Sequence, residues 1–180
     1  MLSNPSDSCP LGYGSSKRSQ LTPSNRNTPD SVPAQTIPWL SEKIVQKRLP
    51  PKDLDEVVQA CHWIRFDEGQ CVVRHHDDSN SVFFIGQGSI RVTYYSLSGH
   101  EVILCDMLVG EMFGELTAID RLPRSATVIA RTPALLASMS ADTFLNLIYS
   151  NKKIAEIILK RLTGQVRRLT ERVYDFSTLA

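Results

Sequence analysis

No apolar run in the 180 residues approaches the ~20 needed to cross a bilayer. The first twenty residues, Met1 to Gln20, also hold no apolar stretch of the kind a secretory signal requires. Charge of one sign is missing too. Twenty Lys and Arg stand against 19 Asp and Glu, a formal net charge of +1, which gives no basis for bulk binding of nucleic acid or other polyanions. The cysteines are four (Cys9, Cys61, Cys71, Cys105) and none is paired in a C-x-x-C spacing. Neither a zinc nor an iron–sulfur site is therefore expected. These absences lead us to expect a cytoplasmic protein with free thiols, no membrane span and no metal.

What is present is a soluble composition, 42% hydrophobic and 22% charged, in a length that suits one domain plus additional segments. Residues 1–36 hold Pro5, Pro10, Pro23, Pro29 and Pro33 among many Ser, Thr and Asn. Such a segment cannot bury enough surface to offset its ordering entropy, so it reads as a disordered tail. From Ile37 the pattern becomes helical: Trp39, Leu40, Ile44, Val45 and Leu49 recur at helical spacing behind Ser41 as N-cap, and Pro50-Pro51 stops them. Asp53 then caps a second short helix with Leu54, Val57 and Val58 on one face.

Between Trp63 and Met139 the period changes to two. Apolar stretches at Cys71–Val73, Val82–Ile85, Ile90–Tyr94, Val102–Leu104 and Ala126–Ile129 are separated by Gly69, Gly86, Gly88, Gly99 and Gly110. Ser98-Gly99 suits a hairpin turn. The spacing predicts an eight-stranded antiparallel β jelly roll, a mainly β fold with flanking helices. Helical spacing returns at Ser140, first in a short helix with Phe144, Leu147 and Ile148 inward, then in a long one from about Asn151.

In that long helix Leu159, Leu162, Val166, Leu169, Val173, Phe176 and Ala180 alternate at intervals of three and four, an a/d heptad series. About 29 helical residues would reach roughly 43 Å, longer than a domain of this size can cover, so the series predicts a homodimer seam. Lys152, Lys153, Lys160, Arg161, Arg167, Arg168 and Arg172 flank it. They are expected to form its solvated outer face. The chain thus divides into a tail (1–36), a β-roll with N-terminal helices (37–150) and a long helix (151–180).

The stretch Phe113 to Val128 carries the chemistry. Gly114 permits a close backbone approach, and Glu115, Leu116 and Thr117 open a short helix whose first N–H groups have no intrahelical partners. Such donors, with the positive end of the helix, suit an anion. Arg124, nine residues after Glu115, brings a fork-shaped cation, and Ser125 adds a hydroxyl and a further N–H. Glu115 is placed to accept the 2′-OH of a ribose. A plain Glu115–Arg124 salt bridge across the turn is the alternative.

Phe113-Gly114-Glu115-Leu116 followed at this interval by Pro123-Arg124-Ser125-Ala126-Thr127-Val128 resembles the phosphate-binding cassette of cyclic-nucleotide-binding domains. From about residue 40 to 180 the chain is similar to the sensor half of Crp/Fnr-type transcription regulators. The resemblance implies a cyclic-nucleotide sensor, with cyclic AMP favoured over cyclic GMP, in which the ligand repositions a dimer helix. It also implies the phosphate on Arg124, Ser125, Leu116 and Thr117, the ribose on Gly114 and Glu115, and a pocket lined by Val92 and Leu104. Leu169 and Thr170 would contact the base. Thr117 departs from the family, which usually has Ala or Gly there. In the family a helix-turn-helix domain follows the long helix and binds DNA. None is expected within these 180 residues, so DNA would be reached only through a missing C-terminal domain.

Ser125 keeps cyclic GMP open, because a hydroxyl after the cassette arginine can favour guanine in relatives. A regulatory domain of a kinase or channel is a further alternative. A cupin-like metalloenzyme is a remote one: it needs His-x-His, whereas His75 and His76 are adjacent and expected on opposite faces of a strand, with His62 and His100 isolated. No Ser-His-Asp or Cys-His arrangement stands out, so no catalytic residue and no enzyme activity are expected.

Overall fold

The structure, a computed structural model, describes residues 59–96 and 100–178. The expected tail, the helices of residues 37–58, the Ser98-Gly99 turn, Ala180 and the side chain of Phe176 lie outside the described residues. The element order is β1 (His62–Phe66), β2 (Cys71–Val73), β3 (Val82–Gln87), β4 (Ser89–Tyr95), β5 (Glu101–Leu108), β6 (Met112–Phe113), α1 (Glu115–Asp120), β7 (Thr127–Ala130), β8 (Ala134–Met139), α2 (Ala141–Ser150) and α3 (Lys152–Thr178). The eight strands form two four-stranded antiparallel sheets, β1-β8-β3-β6 and β2-β7-β4-β5. This is the expected jelly roll.

Two layers of core explain why the strands read as they do. Phe66, Val72, Val73, Phe83, Ile85, Ile90, Met107, Phe113, Val128, Ala130, Ala134 and Leu136 fill one cluster. Val82, Phe84, Met112, Ala137 and Met139, from the other face of the first sheet, join Ala118, Phe144, Leu147 and Ile158 of the helices in a second. Strands β3 and β8 are thus covered on both faces, which is why Val82-Phe83-Phe84-Ile85 is an unbroken apolar run and not an alternating one. In β5, by contrast, Val102, Ile103, Leu104 and Leu108 are exposed.

Helix α2 begins where the Ser140 hydroxyl accepts the Thr143 amide at 3.2 Å, the expected N-cap. Its Phe144 and Leu147 are buried against the sheet. Helix α3 starts on the same cluster through Ile154, Ile157, Ile158 and Leu162. It then runs past β6 toward β5, where the Arg172 guanidinium donates to the Leu104 carbonyl. Leu162, one of the expected seam positions, is half-buried against its own chain's core, one turn from residues that anchor the helix to the sheet. Leu159, Val166, Leu169 and Val173 remain 59–66% exposed.

Candidate functional site

The strand β6 delivers the chain to the site and stops after two residues because Gly114 turns it. Gly114 has φ +87°, and a Cβ there would lie 2.5 Å from Arg124 Nη1 and 2.7 Å from the Ser81 carbonyl oxygen. Only a glycine tolerates both the left-handed backbone and that approach. Helix α1 follows immediately. Its first intrahelical acceptor is the Gly114 carbonyl, bonded by Ala118 N–H at 3.3 Å, so the amides of Glu115, Leu116 and Thr117 face the turn with no backbone acceptor among the described residues. Six residues later α1 ends at Arg121, whose left-handed backbone (φ +61°) lets its N–H reach the Thr117 carbonyl.

Arg124 is placed from both ends. Its backbone pairs with the turn after β2: Arg124 N–H donates to Asp77 O and His76 N–H to Arg124 O, each at 3.0 Å. Its side chain runs back under the cassette, 3% exposed. There Nη2 donates to Ser81 O at 2.7 Å and Nε to Ser79 Oγ at 3.1 Å, while Nη1 lies 3.5 Å from Gly114 O. The Phe83 ring lies beneath it, 5.9 Å from ring centroid to guanidinium carbon, and stacks in turn on Phe113 at 5.0 Å. A guanidinium has five N–H donors. The three contacts above leave at least two of them for an incoming anion, in a fork whose direction is already set.

Burial depresses the pKa of Arg124, and the nearby charges of Asp77 and Glu115 act against that shift. The expected alternative of a closed Glu115–Arg124 salt bridge is not what forms: no ion pair joins the two among the described residues. Glu115 is 4% exposed, and its carboxylate has no hydrogen-bond partner among them. A buried carboxylate and a desolvated guanidinium that feel each other's charge without pairing form a site that gains from a ligand with one anion and one hydroxyl.

The structure brings Gly114, Glu115, the amides of Leu116 and Thr117, and Arg124 together around one turn. Thr117 is buried within α1. Ser125 follows Arg124, exposed, in the bend before β7. Val92 packs against the inter-sheet cluster beside Val128, its partner in the sheet. Leu104 is 37% exposed on β5. Leu169 and Thr170 are not brought to the cassette: both are exposed, and the Thr170 hydroxyl bonds back to Val166 O of its own helix. The α3 side chains that bond to the roll are instead Arg161 and Arg172.

That corrects the expectation of a wholly solvated basic face. Arg161 is half-buried and its Nη2 donates to Met112 O at 2.7 Å, and Arg172 reaches Leu104. A second correction concerns the histidines. His75 and His76 are in a turn, not a strand, and His76 has φ +64°. Their ring centroids are therefore 3.7 Å apart instead of on opposite faces. No group of three His, Cys, Asp or Glu able to hold a metal occurs among the described residues. Ser79 and Ser81, which aim Arg124, were not foreseen. They lie 43 to 45 residues before it and no local spacing signals them.

Residues 63–151 match the family model of the cyclic nucleotide-binding domain. Over 132 residues the chain is 26% identical to the cAMP-activated global transcriptional regulator Vfr of Pseudomonas aeruginosa, covering 71% of this chain and 62% of that protein. It is 32% identical over 114 residues to the cyclic nucleotide-gated potassium channel mll3241 of Mesorhizobium japonicum, covering 63% and 30%. Among solved structures, the Thermus thermophilus catabolite activator protein superposes with a TM-score of 0.66 at 21% identity, over 78% of this chain and 63% of that one. The chain spans 50–62% of the length of the CRP-like regulators it matches. No helix among the described residues is long and apolar enough to cross a membrane. Residues 63–151 thus match the cyclic nucleotide-binding domain, and the relatives of the chain include CRP-like regulators.

Proposed function

We propose that this chain is a cytoplasmic receptor for a 3′,5′-cyclic nucleotide, cyclic AMP in preference to cyclic GMP, and that it serves a transcription regulator as its sensor. The observation that carries the reading is the cradle around Arg124. A guanidinium pre-set by Ser79, Ser81 and Gly114 lies at the turn where α1 begins, near enough to the buried Glu115 to feel its charge. The phosphate would take the spare guanidinium donors and the first amides of α1, and the 2′-hydroxyl would donate to Glu115. Cyclic AMP is preferred because the CRP-like relatives are described as cAMP-activated. On this reading the domain binds and does not catalyse.

The long helix completes the mechanism. Leu159, Val166, Leu169 and Val173 form an exposed apolar stripe on α3, which supports a second copy of the chain as its partner. The ligand acts by binding one arrangement of α3 better than another, since only differential affinity shifts an equilibrium. Calorimetric titration of the full chain with cyclic AMP, then in competition with cyclic GMP, tests the proposal. Saturable heat with tighter binding of cyclic AMP is expected, and no heat with either nucleotide would end it. Regulation of a kinase or channel is the second reading, favoured by the 32% identity to the gated channel. Ligand-dependent binding to a DNA operator by the whole protein separates the two.

A further inference from the structure

The segment between β2 and β3 holds Arg124 by its backbone and by its side chain. His76 N–H donates to Arg124 O and Arg124 N–H to Asp77 O, each at 3.0 Å. Ser79 Oγ and Ser81 O accept from the guanidinium at 3.1 and 2.7 Å. Ser79 Oγ in turn donates to Asp77 Oδ2 at 3.3 Å, so the turn at His76-Asp77 and the hydroxyl that aims the guanidinium are one unit. The start of the segment is pinned to β7, where the Thr127 hydroxyl accepts His75 N–H at 3.0 Å.

Two imidazoles crown this turn, and the phosphate site uses neither. The rings of His75 and His76 rest against each other, centroids 3.7 Å apart and planes tilted by 43°. Chain neighbours in a strand would point apart, but His76 has a left-handed backbone, φ +64°. From β4 the Tyr94 ring meets His75 edge-on at 4.7 Å, so His75 is half-buried between two rings while His76 is exposed. Neutral rings tolerate this packing. A proton on each would put two positive charges in contact, and like charges at that separation repel strongly away from bulk water. Tyr94 from β4 and Thr127 from β7 carry no charge near neutral pH to offset them. Asp77 is engaged with Ser79 and with the charge of Arg124, and Arg74 and Asp78, the other charged side chains of the turn, are exposed. Burial first, then the repelling charge of His76, holds the pKa of His75 below its ordinary 6.5.

We propose that His75 and His76 are a proton-operated brake on the nucleotide site: protonated together they part, the turn they crown loosens its hold on Arg124, and affinity for the nucleotide falls. The inference rests on the cyclic-nucleotide reading of the cassette and adds a regulation to it. The sign follows from linkage. The packed turn binds fewer protons than the parted one, so acid favours the parted form, and a ligand that needs the packed form drives protons off. The window lies below pH ~6.5, because the packed turn lowers the pKa of His75 from that value.

The test is calorimetric titration of the full chain with cyclic AMP at pH 7.5 and at pH 5.5. In the wild type the dissociation constant should be at least about threefold larger at the lower pH. Within His75→Gln, and within His76→Asn, where asparagine accepts the left-handed backbone, the ratio of the two constants should return to about one. A wild-type ratio of one, or a fall in affinity that persists in either variant, overturns the proposal. In the wild type, which needs no substitution to fold, the His75 ring signal followed by NMR should titrate at lower pH with cyclic AMP bound than without it. An identical midpoint in both states overturns it as well. If neither cyclic AMP nor cyclic GMP binds at pH 7.5, the cyclic-nucleotide reading itself fails and this inference with it, an outcome distinct from binding that ignores pH.

Discussion

Replacing Arg124 by Met separates what this residue does for the fold from what it does for the ligand. Arg124 is 3% exposed, and its guanidinium donates to Ser81 O at 2.7 Å and Ser79 Oγ at 3.1 Å and forms no ion pair with a described residue. Its removal leaves two acceptors unpaired, each worth ~1–3 kcal/mol if fully buried. It also removes an uncompensated buried cation, whose desolvation costs several kcal/mol, and methionine fills the vacated space with a flexible apolar chain. The two effects oppose each other at similar size, so stability without ligand should stay within about 2 kcal/mol of wild type. Binding has no such compensation. Two charge-assisted bonds to a phosphate contribute ~1.5–3 kcal/mol each, so their loss weakens binding roughly a hundredfold to ten-thousandfold.

Thermal unfolding followed by circular dichroism reads both consequences. Ligand at a hundred times its Kd adds about 2.7 kcal/mol to the wild type, or roughly 5–10 °C for a chain of this size. At the same concentration a variant weakened a hundredfold gains only about 0.4 kcal/mol, a shift of about 1 °C. An Arg124→Met protein that still gains several degrees would show that the phosphate is not held by Arg124. A collapse of its melting temperature without ligand would refute the account of Arg124 as a desolvated cation carried for binding.

Three further outcomes are expected. Gly114→Ala should lose about 1–3 kcal/mol in urea unfolding, from the left-handed backbone and the clash with Arg124 and Ser81, and should weaken nucleotide binding with it. Val166→Asp and Leu169→Asp should convert a dimer to a monomer in sedimentation without lowering the stability of the monomer, because both side chains are about 60% exposed; a dimer that persists would place the seam elsewhere. Burial and the neighbouring His76 hold the pKa of His75 below its ordinary 6.5. The unfolded chain therefore takes the proton more readily, so the contribution of His75 is fully present above pH ~6.5 and is lost as the pH falls through that value. His75→Gln should flatten the dependence of stability on pH between about 5 and 7, and an unaltered slope would assign it to other groups.

Strands, helices and the cassette were legible in the sequence because each is written in local periodicity or short spacing. Val82–Ile85, Ile90–Tyr94 and Ala126–Ile129 fall within or across β3, β4 and β7, and Ser140 caps α2 as expected. The heptad stripe on α3 could also be read, since a/d spacing is a property of the helix alone. Other features could not. His75 and His76 looked like neighbours in a strand until the turn brought their rings together.

By itself the sequence determined a jelly roll, a long amphipathic helix, and a Gly-Glu to Arg-Ser spacing that suits a phosphate and a ribose. Each follows from side-chain period or backbone freedom over a few residues. Only the tertiary structure decided how the site is aimed. The carbonyl of Ser81 and the hydroxyl of Ser79 reach Arg124 across 43 and 45 residues, and Arg161 reaches Met112 across 49. Contacts at such separations leave no periodic trace, because they depend on which strands pair and which face of α3 meets the roll. The same packing left Leu159, Val166, Leu169 and Val173 outward, turned Arg161 inward and laid Arg172 against Leu104, a choice that the heptad pattern alone does not contain.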